Sequence, residues 1–126
     1  MKLNTLSIVS LITVVLLPFH IGGDVVLGMD KGGSGLAFVV VPILLLVTSA
    51  ALLLSDRISG HIIMFLGGLA SLAMPLIHRN NGFTPEVARS PGGLFFIWGL
   101  IALGVTGGLA MILAVHGLWV RHSRKT

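Results

Sequence analysis

Four long stretches of the chain are apolar almost without interruption, and short polar segments separate them. The first runs from Thr5 to His20 and, if its helix persists, on to Val26. The second is Leu36 to Leu54, with no charge between Lys31 and Asp56. The third is Ile58 to Ile77, between Arg57 and Arg79, and the fourth is Gly93 to Val120, between Arg89 and Arg121. A helix that crosses the hydrocarbon of a bilayer needs about 20 mostly apolar residues. The fourth stretch is long enough to span with tilt. Apolar residues follow one another directly, without the two-residue alternation of a membrane β-barrel strand. An unpaired backbone group in hydrocarbon costs several kcal/mol, so each stretch has to be helical. The pattern predicts an all-α polytopic membrane protein. It is one integral membrane domain over residues 1–126, with spans at about 5–26, 36–54, 58–77 and 93–120, packed as an up-down-up-down bundle.

Composition sharpens this picture. Of the 126 residues, 55% are hydrophobic and 10% are charged, and the mean hydropathy is +1.04. A soluble domain carries about 25% charged residues, and a chain this short has a large surface to coat. Disorder needs low hydrophobicity and high charge, so it is excluded too. The absence of cysteine removes disulfides, thiolate metal sites, iron–sulfur clusters and thiol nucleophiles. Although the net charge is +4, the cations sit at the ends of the spans and form no patch interleaved with aromatics, which excludes nucleic acid as a partner.

The same cations orient the chain. With four spans, Lys2, Arg57, Arg121, Arg124 and Lys125 share one side, and Lys31, Arg79 and Arg89 share the other with Asp24, Asp30 and Glu86. The positive-inside bias places both termini in the cytoplasm. Trp119 and Trp98 stand near opposite ends of the fourth span, where aromatic anchors belong. No small-x-small cleavage site follows Leu17, so the first span is expected to be retained; its removal as a signal peptide would leave three.

An internal match links the two halves. Leu17-Pro18-Phe19-His20 resembles Met74-Pro75-Leu76-Ile77-His78, and the polar loops that follow close on Gly32-Gly33 and Gly92-Gly93. Duplication of a helical hairpin explains this, and so does the common use of Pro, Gly and His at helix ends. Either way, His20 and His78 fall at one depth on the outer side.

Three sets of residues are candidates for function. His20, Asp24, His78 and Glu86 form an outer group. His20 and Asp24 share a face at i and i+4 if the first helix continues past Gly22-Gly23. Two imidazoles with carboxylates suit Zn²⁺ or a similar divalent ion, and they also suit proton handling. Plain solvation at an interface is the simpler account, and the glycine pair is a possible break in the helix. His61 and His116 stand near the cytoplasmic ends of spans three and four and are candidates to ligate a haem; hydrogen bonding to a neighbouring helix is the simpler account. Gly67, Gly68 and Ser71 in span three, with Gly104 and Gly108 in span four, fit the small-x-x-x-small faces over which membrane helices approach closely. Pro42, inside span two, predicts a bend.

The sequence contains no Walker loop, GxSxG elbow or HExxH motif. No carboxylate lies at mid-span, which counts against a small four-span multidrug exporter. The segments His20-Ile-Gly-Gly-Asp24-Val-Val-Leu-Gly28 and Ala88-Arg-Ser-Pro-Gly-Gly-Leu-Phe-Phe-Ile-Trp98, set in four spans, resemble a group of small, functionally uncharacterised bacterial membrane proteins. The resemblance implies a bacterial inner membrane and transfers no catalytic or binding residue. The expectation is a non-enzymatic accessory or homo-oligomeric membrane subunit, with lipid as solvent and no cofactor required. The rivals are a small transporter or channel with the His/acidic group at its mouth, and a haem- or metal-binding redox subunit.

Overall fold

The computed structural model describes residues 3–29 and 34–124, with the side chains of all of these but 34–37. Lys2, Asp30, Lys31, Gly32, Gly33 and Lys125 lie outside the described residues. The described residues form helices and turns with no strand: α1 (Thr5–Val26), α2 (Ser34–Leu53), α3 (Ile58–Ile77), α4 (Pro85–Arg89) and α5 (Gly93–Ser123). Helices α1, α3 and α5 are long and apolar enough to cross a membrane, and α2 contributes a shorter apolar stretch, Phe38–Leu53. By length and composition these helices mark an integral membrane protein.

Local chemistry explains the helix ends. Asn4 caps α1, its side-chain oxygen accepting from the Ser7 N–H at 2.8 Å, which satisfies one of the free donors of the first turn. The helix then runs unbroken through Pro18 and the Gly22-Gly23 pair. It stops at Gly28, whose φ of +68° is left-handed. There the Met29 N–H reaches the Asp24 carbonyl at 2.9 Å and the Gly28 N–H reaches Val25 at 3.1 Å. This pair of bonds is a Schellman motif, and glycine carries no Cβ penalty at its left-handed position. The polar segment after α3 contains the short helix α4, which the apolar pattern did not mark. Thr84 caps it by accepting from the Val87 N–H, and Pro85 opens it, where a missing N–H costs nothing.

Helix α5 packs against both α3 and α1. The closest approach between α3 and α5 is backbone on backbone. A Cβ at Gly68 would lie 2.7 Å from the Gly107 carbonyl oxygen, and a Cβ at Gly107 would lie 2.6 Å from that of Gly68. Gly104 faces Pro75, with a Cβ there 3.0 Å from its ring, and Gly67 faces Val47 on α2. Gly108 is not at the tight point: a Cβ there would meet only Leu72, at an ordinary 3.8 Å. The contact therefore centres on Gly107, one residue away from the Gly104-x-x-x-Gly108 pattern. Ser71 is buried on the same face and donates to the Gly67 carbonyl at 3.0 Å.

The apolar core is small and lies toward the Asn4 end, built from Leu6, Ala50, Ala51, Met64, Ala110 and Ala114. Helix α1 is turned inside out relative to a soluble helix. Its buried residues are Leu6, Ser7, Ser10, Thr13, His20 and Asp24, so all but one are polar, while Ile8, Ile12, Val15 and Phe19 face outward. Lipid is as apolar as leucine, so burying apolar side chains gains little there, and packing and polar contact decide what faces inward.

Candidate metal centre

The inward polar face of α1 ends in a cluster. His20 and Asp24, one turn apart, present their side chains together, with His20 Nε2 3.3 Å from Asp24 Oδ2. His78, the residue that closes α3, brings its Nε2 to 3.0 Å from Asp24 Oδ1. One ligand atom from each of the three lies within 4.8 Å of the others. All three side chains are nearly out of reach of solvent, at 1%, 10% and 12% exposed for His20, Asp24 and His78.

Aromatic packing holds the rings. The His20 and His78 rings meet edge to face at 5.0 Å. Phe96 of α5 stacks on His20 at 5.2 Å and meets His78 at 5.7 Å. Gly23 makes room for this, since a Cβ there would lie 2.9 Å from the Phe96 ring. The glycine pair that threatened to break α1 instead admits the aromatic wall of the site.

The protons are informative. His78 Nδ1 lies 3.1 Å from the Met74 carbonyl. A carbonyl only accepts, so Nδ1 carries the hydrogen; a neutral ring then turns the Nε2 lone pair toward the Asp24 carboxylate, whereas a protonated ring donates from Nε2 to it. Two acceptors at 3.0 Å repel unless a proton or a metal cation lies between them. An outer hydrogen bond from the far ring nitrogen to a carbonyl is also the usual way a metal-binding histidine is oriented. Both His20 nitrogens and Asp24 Oδ1 are buried, and none has a hydrogen-bond partner among the described residues, although the charged contacts are short. Of the three, His20 Nδ1 alone stands outside these ion-pair contacts, and a buried group left unpaired costs about 1–3 kcal/mol. Two imidazole nitrogens and a carboxylate give three ligands of the kind Zn²⁺ takes, with a fourth position left for water or substrate.

The other candidates lie elsewhere. Glu86 is exposed on α4 and takes no part in the cluster. Hydrogen bonds from its own backbone and then from the Thr84 side chain hold its carboxyl below the usual carboxylate range. His61 is buried near the start of α3, with Nδ1 2.9 Å from the Arg57 carbonyl. The α5 residue packed on its ring is Gly117, where a Cβ would collide with Nε2. His116 is exposed, tilted against Trp119 at 6.5 Å.

Below the cluster, the polar face of α1 borders a cavity of about 40 Å³, measured as space for water centres, lined in part by Ser10, Thr13, Leu17, Ser71 and Met74. The hydroxyls of Ser7 and Ser10 are buried without partners among the described residues. One water needs roughly 10–15 Å³ on that measure, so the space exceeds one water, and most of its lining is apolar. The residues that sequence reasoning missed are Phe96, Gly23, Gly28 and Gly107. A turn glycine before a polar segment is a usable signal for Gly28; nothing distinguishes Phe96 from Phe95, or Gly107 from its neighbours, before the helices are docked. No known protein family, curated protein or solved structure matches the chain.

Proposed function

We propose that the chain is a small, non-enzymatic four-span membrane subunit, with both termini cytoplasmic, that binds one divalent transition-metal ion at the outer ends of α1 and α3. The observation that carries this is the convergence of His20, Asp24 and His78, with buried nitrogens and a carboxylate oxygen that lack hydrogen-bond partners. A divalent cation at that point relieves the acceptor–acceptor approach as a shared proton would, and unlike a proton it can engage all three side chains at once. His20 and His78 supply borderline-soft nitrogens and Asp24 the compensating charge, a set suited to zinc and its neighbours in the first transition series.

Cobalt tests this directly, because tetrahedral Co²⁺ absorbs strongly in the visible. The purified protein is expected to take up one Co²⁺ per chain with intense d–d bands, displaced by Zn²⁺. His78→Ala and Asp24→Asn are expected to abolish the bands, and Glu86→Gln to leave them unchanged. The reading fails if uptake is absent or survives in the His20→Ala/His78→Ala variant.

The polar face of α1 favours a second reading, a cation transporter with this centre at its outer mouth. Ser7, Ser10 and Thr13 lie inward of His20 at helical spacing, and the cavity adjoins Ser10 and Thr13. From Ser7 to Asp24 the helix rises about 25 Å at 1.5 Å per residue, most of the thickness of the hydrocarbon. Leu17 and Met74, one turn inward of His20 and His78, line the same cavity. Metal flux into proteoliposomes, lost in Ser10→Leu while Co²⁺ binding persists, would establish transport. Binding without flux in the unaltered protein would remove it.

A further inference from the structure

An open cleft of about 690 Å³ lies at the Asn4 end of the molecule, between the start of α3 and the last turns of α5, lined by Asn4, His61, His116, Arg121 and Arg124, among others. Arg121 and Arg124 stand at i and i+3 on α5 and so share a face. Neither has an ion-pair partner among the described residues, where the ion pairs are those of Asp24 with His20 and His78. Of the described acidic residues, Asp24, Asp56 and Glu86, none lines the cleft. His61 forms its floor: Nδ1 is held on the Arg57 carbonyl at 2.9 Å, and Gly117 leaves room for the ring.

A second space adjoins it on the side of the bundle middle. A groove of about 430 Å³ between the same two helices is lined by Phe65, Ile112, Val115, His116 and Trp119, among others. Phe65 is one turn along α3 from His61, and Ile112 and Val115 lie inward of the two arginines on α5. His116 borders both spaces, so the basic cleft passes into the apolar groove at its ring. Helical rise fixes the depth. Trp98 and Trp119 are 21 residues apart on α5, a rise of about 32 Å, close to the ~30 Å thickness of the hydrocarbon. With these rings at the two interfaces, Arg121 and Arg124 stand about 3 and 8 Å further out, in the headgroup layer where lipid phosphates lie.

We propose that cleft and groove together hold one anionic phospholipid, its phosphate on Arg121 and Arg124 and an acyl chain along Phe65, Ile112 and Val115. A guanidinium binds phosphate oxygens two at a time, and a basic pocket between membrane helices is the chemistry that holds acidic headgroups. A zwitterionic headgroup cancels the phosphate charge with its own ammonium, so net negative charge decides between lipids. Free phosphate would use the cleft alone; the adjoining apolar groove is what favours a lipid as the source. The site lies at the opposite ends of α1 and α3 from His20 and His78 and does not rest on the metal reading.

Native mass spectrometry of the full chain in detergent, titrated with dioleoylphosphatidylglycerol or dioleoylphosphatidylcholine, tests this. One phosphatidylglycerol per chain is expected to bind saturably, and about tenfold more tightly than phosphatidylcholine. Arg121→Gln and Arg124→Gln are each expected to weaken it about fivefold, the usual worth of one cation near an acidic headgroup, and the two together to erase the preference. Arg79→Gln/Arg89→Gln removes the same charge from the other end of the bundle and is expected to leave binding unchanged. Val115→Trp, which fills the groove, is expected to weaken phosphatidylglycerol binding about fivefold with both arginines in place and helicity by circular dichroism unchanged. Equal affinity for the two lipids, or equal losses in the two double variants, overturns the inference. So does displacement of the lipid by millimolar inorganic phosphate with Val115→Trp without effect, because the cleft then takes the bare anion. Co²⁺ uptake on the same samples keeps the two sites apart: cobalt bound without lipid selectivity defeats this inference alone, and lipid selectivity without cobalt binding defeats only the metal centre.

Discussion

At the residue scale, single atoms decide how close two helices come. Gly68 and Gly107 face each other with no space for a methyl group on either, so Gly107→Ala must push α5 away from α3 or shift the backbone. Overpacking of this kind costs about 1–3 kcal/mol. Gly108→Ala adds a methyl that meets Leu72 at an ordinary distance and is expected to change stability by less than about 0.5 kcal/mol. Thermal unfolding in detergent compares the two, and equal losses would place the contact elsewhere. Gly23 obeys the same logic with a different consequence. A methyl there presses on the Phe96 ring, so Gly23→Ala is expected to disturb the stacking on His20 and weaken Co²⁺ binding while leaving the α3–α5 contact intact.

At the element scale, the ends of α1 matter more than its middle. Hydrophobicity alone holds the middle in lipid, but the last turn sets the direction of Asp24. The Asp24 carbonyl accepts from the Met29 N–H, and this bond depends on the left-handed Gly28. A Cβ in that conformation costs about 1–2 kcal/mol. Gly28→Ala is therefore expected to lower stability by that order and to loosen the last turn, weakening cobalt uptake without touching a ligand. Binding unchanged in Gly28→Ala would mean that Asp24 is positioned by its contacts with the histidines instead. The inward face of α1 is the other feature of this scale. A helix in water would bury Ile8 and Ile12 and expose Ser7 and Ser10; here lipid removes the reason to bury the former, and close packing takes the latter.

At the scale of the whole molecule, binding at the centre ties the end of α1 to the end of α3. An ion that binds only the folded bundle stabilises it by about 2.7 kcal/mol at one hundred times its dissociation constant. Zn²⁺ is expected to raise the unfolding temperature of the protein and to leave that of Asp24→Asn unchanged. Equal shifts in both would place the ion at another site. Orientation is also testable, because the chain has no cysteine of its own. Asn80→Cys is expected to react with an impermeant maleimide from outside intact cells, and Arg124→Cys only after permeabilisation. The reverse pattern would invert the bundle and put the metal centre on the cytoplasmic side.

Much of this architecture is legible in the residue string. Long apolar runs mark helices because hydrocarbon forbids unpaired backbone, and that constraint acts locally, without reference to any partner. The ends of α1, α3 and α5 lie close to where the apolar runs stop, at Val26, Ile77 and just beyond Val120. The i, i+4 pairing of His20 with Asp24 is likewise a matter of helical period. What the string leaves open is everything that depends on rotation of one helix about another. Most faces of each helix are apolar, so no apolar stripe says which one turns inward, and the polar stripe Ser7, Ser10, Thr13, His20 and Asp24 on α1 does not by itself say what it faces. Only docking shows that Ser7, Ser10 and Thr13 face the interior, that Gly107 and not Gly108 makes the tight contact with α3, and that Gly117 and not His116 lies on His61. The same docking brings His78 to Asp24 and sets Glu86 apart from them. The apolar period that betrays a buried face in water is absent in lipid, and short-range fit between small residues decides in its place.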